Sequence, residues 1–204
     1  MALTEKEIEK IEDEYYLALG KFVDAFASAE KWIHLAFFKF SKMKLDMVMA
    51  IKGGMRVSDL APLTRRVLVI NKFPKKTQRE VDNCLNQFNL ISTFRDRVLH
   101  RGASITDDGK YESTNFATMK SYDLLEQVNF DVNTIRDATA DLLRIGVRIA
   151  QTSYPDFKSA DPRVHMRYVH LPWLYKSVEL KTPNRLPPAK PRTPSRHKKA
   201  SRTK

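Results

Sequence analysis

Residues 77–102 read TQREVDNCLNQFNLISTFRDRVLHRG, and this stretch decides the expected fold. Its apolar side chains recur every three or four residues, the spacing that places them on one side of a helix. Thr77 is a typical N-cap and Gly102 a typical C-terminal stop, so the stretch predicts one strong amphipathic helix. A charged residue, Arg95, falls on the otherwise apolar side, which comprises Val81, Leu85, Phe88, Ile91, Val98 and Leu99.

A longer amphipathic helix is predicted at the N-terminus, over residues 5–42. Thr4 followed by Glu7 matches the capping-box pattern, which places the helix start next to Thr4. The apolar stripe of this helix contains a single charged residue, Glu30.

Two shorter helices are predicted between the long ones. Residues 46–52 form the first, which ends at a pair of glycines; Ser58 is expected to cap the second, which ends near Pro74. Further along, residues 104–113 predict a short β-hairpin, because acidic turn formers and a glycine separate two extended segments. This hairpin is the only β structure that the sequence predicts.

A last long helix is expected to begin at Leu125 and to end before Pro155. The predicted fold class is therefore all-α, a bundle of four or five helices with a short β-hairpin after the helix of residues 77–102. Residues 1–152 make up the predicted bundle. Residues 153–180 carry aromatic side chains between prolines, and we expect this extension to pack on the bundle.

Residues 181–204 differ in composition from the rest of the chain. They hold nine lysines and arginines, five prolines and no acid, whereas residues 1–180 hold 27 basic and 24 acidic side chains. Such a segment has little apolar surface to bury, so it predicts a disordered, basic, proline-rich tail. Its cations would attract phosphates regardless of nucleotide sequence, and the candidate nucleic-acid-binding residues are Lys190, Arg192, Arg196, Lys198, Lys199 and Arg202.

Several classes of function lack their sequence motifs. No nucleotide-binding glycine motif, zinc-protease motif or hydrolase nucleophile motif is present, and no cofactor is predicted. Cys84 is the only cysteine, and no two of the five histidines lie three or four residues apart, so no metal site is predicted. The acidic N-terminus and the lack of a long apolar run predict a cytoplasmic protein without a membrane partner.

Arg95, Asp96 and His100 form a motif near the end of the helix of residues 77–102. This arrangement resembles the HEPN superfamily, whose signature is an arginine, a polar residue and then a histidine after four to six intervening residues. The likeness extends to layout, because a long N-terminal helix precedes the motif helix and a hairpin follows it. It covers about residues 4–152, and the chain resembles small bacterial members that have no other domain.

The resemblance implies a metal-independent endoribonuclease that cleaves single-stranded RNA to 2′,3′-cyclic phosphate ends. His100 would then be the general acid or base, since imidazole changes its charge near neutral pH. Arg95 would hold the phosphate oxygens of the transition state through its planar set of donors. Asp96 precedes His100 by four residues, shares its helix face and could orient the ring.

Helix geometry bears on how these residues meet. Five residues at about 100° each place Arg95 and His100 about 140° apart on an ideal helix, so one chain builds the site poorly. A homodimer, which the resemblance also implies, would bring the two groups together across its symmetry axis. Glu30 could pair with Arg95, and Arg97 and Arg101 would add positive potential around the cleft.

The resemblance further implies a toxin, stress or phage-defence effector that acts on RNA and is restrained by a neutralising partner protein. Gly102 departs from the family pattern, because members that are silenced by nucleotidylation carry a tyrosine two residues after the histidine. That departure argues against silencing by this route.

Two other interpretations stay open. Arg95 could be a structural arginine paired with Glu30, His100 a cation that stabilises the C-terminal end of its helix, and Asp96 a solvated surface acid. The alternative function is a non-catalytic HEPN-like dimeric scaffold that binds nucleic acid or an acidic partner through its basic tail.

Overall fold

The computed structural model describes residues 4–120, 124–158 and 169–181. Within these ranges the helices are α1 (Glu5–Ser41), α2 (Leu45–Lys52), α3 (Val57–Ile70), α4 (Lys75–Arg101) and α5 (Val132–Ser153). The strands are β1 (Ser104–Ile105), β2 (Tyr111–Thr114), β3 (Gln127–Phe130) and β4 (Leu180–Lys181). The predicted helical bundle with a short β-hairpin is confirmed.

Helix α1 packs along α5 and against α3. It begins where the capping box predicts, because the backbone N–H of Thr4 donates to Glu7 Oε2 at 2.8 Å and Thr4 Oγ1 accepts from the Glu7 N–H at 3.4 Å. The helix ends at Ser41, and its C-cap residue, Lys42, has a left-handed φ of 56°. Both ends of this helix therefore agree with the sequence.

The core between α1 and α4 is aromatic. Phe22 meets Phe94 edge to face with ring centroids 6.0 Å apart, and Phe26 lies 4.8 Å from Phe88. Aromatic pairs of this kind contribute about 1 kcal/mol each beyond the apolar area they bury. They fix the second half of α4 against the middle of α1.

Two predicted helix caps are wrong. Helix α3 begins one residue before Ser58, with Arg56 in the N-cap position and no side chain capping it. Helix α4 begins directly after Pro74 rather than at Thr77. The φ of −54° at Pro74 already suits a helix and proline has no N–H to satisfy, so the earlier start costs little. The predicted stop at Gly102 is confirmed by its φ of 71°.

The sheet is larger than predicted. The hairpin of β1 and β2 is confirmed, but β3 and β4 extend it into an antiparallel sheet of order β1-β2-β3-β4. The expectation that the hairpin is the only β structure is therefore wrong.

The predicted start of the last helix at Leu125 is also wrong. Helix α5 begins after a capping box at Asp131, and the residues before it form β3. Val128 and Phe130 of β3 are buried and alternate with polar neighbours, which is the period of a strand. The leucine and valine residues around this strand are three and four residues apart. This spacing is typical of a helix, so the sequence predicts a helix here instead of a strand.

Residues 169–181 lie against α4 and α5. Asp141 is fully buried, and its carboxylate accepts hydrogen bonds from the backbone N–H groups of Leu174 and Tyr175 at 3.1 and 2.9 Å and from Gln87 Nε2 at 3.0 Å. Burial raises the pKa of Asp141, whereas the donors oppose that shift. This carboxylate therefore anchors the segment to the bundle.

A second anchor joins the same segment to α4 and α5. The Arg148 guanidinium lies 4.3 Å from the ring centroid of Trp173 and donates to both carboxylate oxygens of Glu80 at 2.6 and 3.1 Å. The hydrogen bonds from Arg148 lower the pKa of Glu80.

For parts of the extension and the tail, the prediction from the sequence stays a prediction. Residues 159–168 of the extension and the tail beyond Lys181 lie outside the described residues. Across the described ranges, no helix is long and apolar enough to cross a bilayer.

Candidate active-site cleft

A cleft of about 840 Å³ lies between the middle of α1, the start of α3 and the second half of α4. Phe26 of α1 and Phe88 of α4 contribute its aromatic wall. All six residues of the motif and its predicted support line this cleft: Glu30, Arg95, Asp96, Arg97, His100 and Arg101.

Arg95 is held from two sides but stays in contact with solvent. Its guanidinium lies 5.0 Å from the ring centroid of Phe26, and Nη1 donates to Asp96 Oδ1 at 2.9 Å. The side chain is 35% exposed. The stacked guanidinium thus retains donors that can reach a ligand in the cleft.

His100 lies in the last turn of α4 and its side chain is 69% exposed. Its Nε2 atom is 3.8 Å from Asp96 Oδ1, a distance that suits an ion pair with a protonated ring but is too long for a hydrogen bond.

Asp96 connects the two groups of the motif. The same carboxylate oxygen, Oδ1, contacts both Arg95 Nη1 and His100 Nε2. A single chain therefore places the guanidinium and the imidazole in one cleft, although their positions on the helix differ by about 140°.

Glu30 enters the cleft from α1. Burial raises the pKa of its carboxyl group, and the positive charge of Arg95 opposes this shift. The link between Glu30 and Arg95 is electrostatic, whereas Arg95 donates a hydrogen bond to Asp96. Glu30 thus helps to hold a positive charge over the Phe26 ring.

Two arginines at the end of α4 are tied to the sheet. Arg101 Nη1 lies 2.8 Å from Glu126 Oε2 in an ion pair that lacks the alignment of a hydrogen bond. The carbonyl of Arg97 accepts from Ser113 Oγ at 3.0 Å, which fixes the end of α4 to β2. Glu126 therefore forms part of the cleft rim, directly before β3.

Sequence reasoning missed two parts of the cleft. Arg56 and the first residues of α3 line it, so the positive end of the α3 dipole borders the same space as the motif. Glu126 was assigned to a helix and lies instead directly before β3. The Gly53–Gly54 pair signals a turn before Arg56 but gives no direction for the chain that follows.

The cleft carries a small excess of positive charge. Four arginines and three carboxylates line it, together with the histidine. Such a balance, beside the start of a helix, suits one phosphate group.

The remaining predicted residues are not placed by the structure. Lys190, Arg192, Arg196, Lys198, Lys199 and Arg202 lie outside the described residues. In the part of the chain that is described, no group of three histidine, cysteine or acidic side chains is arranged to hold a metal ion.

Comparison with family models, with curated proteins and with solved structures gives no match to this chain.

Proposed function

We propose that this chain is a metal-independent endoribonuclease of HEPN type that cleaves single-stranded RNA. The observation that carries the proposal is the meeting of Arg95 and His100 at one oxygen of Asp96, within a cleft open to solvent. This arrangement supplies a cation and a proton carrier at one place, as cleavage of a phosphodiester requires.

The reaction would begin with attack of the ribose 2′ oxygen on the adjacent phosphorus atom. The bond from phosphorus to the 5′ oxygen breaks, which leaves a 2′,3′-cyclic phosphate and a 5′-hydroxyl group. His100 would take the proton of the 2′-hydroxyl or give one to the 5′ oxygen, and water would carry the other proton. Arg95 would donate hydrogen bonds to the non-bridging oxygens, where negative charge increases in the transition state.

The partners of this activity belong to the same proposal. RNA is the substrate, and a homodimer and a neutralising partner protein are what the family resemblance implies, as are a cytoplasmic location and a toxin, stress or phage-defence role. A homodimer would add residues to a cleft that one chain already lines with both groups of the motif.

The test is cleavage of an end-labelled single-stranded RNA by the full chain and by His100→Ala. We expect a loss of at least about 100-fold in rate, the usual contribution of a general acid or base. Because the His100 side chain is 69% exposed, the variant should unfold at the same urea concentration as the full chain. A 2′-deoxy nucleotide at the cleaved position should block the reaction, and EDTA should leave it unchanged.

His170→Ala is the matched control. His170 is exposed and lines a different depression, with Lys76 and Glu80, so its loss should not affect cleavage. If His100→Ala cleaves RNA at the rate of the unchanged chain, the proposed role of His100 is wrong.

One observation favours the alternative of a non-catalytic scaffold. The Arg95 guanidinium already contacts Phe26 and Asp96, which is what a structural arginine would do. The scaffold is supported if RNA binding disappears on deletion of residues 181–204 and no RNA is cleaved under any condition. Cleavage that persists at low salt after this deletion supports the enzyme.

A further inference from the structure

The cleft is much larger than the single phosphate group that its charges suit. Its volume of about 840 Å³ lies within the range of about 300 to 1,000 Å³ that is typical of sites for a whole small ligand. Asp96 and His100 line it near the C-terminal end of α4. One to two turns earlier on the same helix it is lined by Asn89, Ser92 and Thr93, which carry no charge. The cleft therefore has room, beside a phosphate, for an uncharged part of the same ligand.

The uncharged residues continue the stripe of the motif along α4. Successive members of this stripe are four, three and four residues apart, the spacing that places them on one side of a helix. The exposed members of the stripe are Asn89, Thr93, Asp96 and His100. Asn89 lies about 10 Å from Asp96 along the helix axis, since each residue adds about 1.5 Å. A nucleotide whose phosphate contacts Arg95 can therefore extend its base towards Asn89.

The two hydroxyl groups that α4 contributes to the cleft can act towards a ligand only as acceptors. Thr93 Oγ1 donates to the backbone carbonyl of Asn89 at 3.1 Å, and Ser92 Oγ donates to that of Phe88 at 2.9 Å. Each hydroxyl has one hydrogen atom, so only lone pairs remain for a ligand. Such oxygens favour an amino group on the ligand and disfavour a carbonyl oxygen.

The side-chain amide of Asn89 can recognise a base through two adjacent atoms. Asn89 is exposed, and the hydrogen bond that it accepts from Thr93 uses its backbone carbonyl instead of the amide. An amide presents an acceptor oxygen beside N–H donors in one plane, so it pairs with an amino group that lies next to a ring nitrogen acceptor. Adenine has such a pair on both its Watson–Crick and its Hoogsteen edge, whereas cytosine has it only on the Watson–Crick edge. Guanine and uracil have a carbonyl oxygen in place of that amino group.

We propose that Asn89 determines the base specificity of the cleft by selecting an adenine next to the phosphate that Arg95 holds. The amide pairs with the amino group and the adjacent ring nitrogen of the base, and Thr93 Oγ1 accepts the second hydrogen of that amino group. This inference rests on the proposed function for the choice of RNA as the ligand. Because phosphate contacts carry no sequence information, Asn89 then gives the nuclease its sequence preference.

The test measures binding to single-stranded RNA analogues that cannot be cleaved. The probes are 2′-O-methyl oligonucleotides of about five nucleotides, with uracil at every position except the centre, which is adenine, cytosine, guanine or uracil. Dissociation constants are measured by fluorescence anisotropy for the full chain, Asn89→Asp and Asn83→Asp. All probes have the same phosphates, so the ratios of their dissociation constants report the central base alone.

The full chain should bind the adenine probe more tightly than the other three. We expect a difference of at least about tenfold from the guanine and uracil probes, as for one asparagine–adenine pair. A carboxylate accepts from an amino group but repels the lone pair of an adjacent ring nitrogen. Asn89→Asp should therefore lose the preference for adenine and bind the cytosine probe more tightly than the adenine probe. The added negative charge weakens binding of all probes alike and cancels in the ratios.

Asn83→Asp is the matched control for this change of charge. Asn83 is exposed on the same helix, six residues before Asn89, and does not line the cleft. Its variant should keep the ratio of the adenine and uracil constants within about twofold of that of the full chain. Because both asparagines are exposed, both variants should unfold at urea concentrations close to that of the full chain.

The inference is wrong if the full chain binds all probes within about twofold of one another, or if it prefers a base other than adenine. It is also wrong if Asn89→Asp keeps the preference for adenine, or if Asn83→Asp loses it to the same extent. These outcomes are independent of cleavage, because the probes cannot react. Equal binding of the probes by a chain that cleaves RNA would remove only the specificity, whereas a preference for adenine without cleavage would remove only the nuclease.

Discussion

Replacing Arg95 by methionine separates the contributions that hold this side chain in the cleft. Methionine keeps the aliphatic contact with Phe26 and removes the charge. The cation–π contact, with the guanidinium 5.0 Å from the ring centroid, contributes about 1 kcal/mol for a half-exposed group. The hydrogen bond to Asp96 adds at most about 0.5 kcal/mol, because that carboxylate is 60% exposed. We therefore expect a loss of about 1 to 1.5 kcal/mol in the free energy of unfolding at pH 7.

The loss should depend on pH through Glu30. Arg95 lowers the pKa of Glu30 against the larger effect of burial, so its removal raises that pKa further. A carboxyl group whose pKa is raised in the folded state lowers the free energy of unfolding as the pH rises through that pKa. The additional destabilisation by Arg95→Met is therefore present at pH 7. At pH 4, below the unfolded pKa of a glutamate, the carboxyl is largely protonated in both states and the difference should shrink.

The assay is urea denaturation followed by circular dichroism at both pH values, with the Glu30 carboxyl titrated by NMR. Arg79→Met is the control, since Arg79 is exposed on the same helix. A loss for Arg95→Met that equals that of Arg79→Met would refute this account of the cleft. A Glu30 pKa that does not rise would refute its electrostatic part.

Two further predictions concern the segment that carries β4. Asp141→Ala leaves Gln87 and two backbone N–H groups of residues 169–181 without their buried acceptor. The variant should lose about 3 to 5 kcal/mol of the free energy of unfolding, measured by urea denaturation. A loss below about 1 kcal/mol would show that the segment is anchored elsewhere. Glu80→Gln removes a carboxylate whose pKa is lowered by Arg148, a contribution present above about pH 4.3 and lost as the pH falls. Stability should therefore decline less steeply below pH 5 in the variant, and an unchanged acid limb would contradict this.

The long helices could be predicted because their signals are local. Thr4 with Glu7 fixes one end of α1, Gly102 fixes the end of α4, and the apolar spacing between such ends describes a face that must be buried. Strand β3 was missed because Val128 fits both the two-residue period of a strand and the three- to four-residue spacing of a helix. Only pairing with β2, which is remote in sequence, decides between a period of two and a period near four.

The composition of the cleft could be predicted only in part. The motif and the arginines beside it identified the charged residues that α4 contributes, and Glu30 was identifiable as a lone charge in an apolar stripe. Arg56 and Glu126 reach the cleft through turns, whose direction depends on the packing of α3 and of the sheet. No local pattern in the sequence reports that packing.

The angle of about 140° between Arg95 and His100 on the helix does not keep their side chains apart. A helical wheel compares the directions of Cβ atoms, whereas function depends on where the ends of long side chains lie. Asp96 is about 100° from Arg95 and, one turn later, about 40° from His100, so its carboxylate can contact both. The observed distances of 2.9 and 3.8 Å to one oxygen agree with that geometry. In the proposed nuclease, a phosphate group would have to displace the Asp96 carboxylate from Arg95 or bind the guanidinium donors that this carboxylate leaves open.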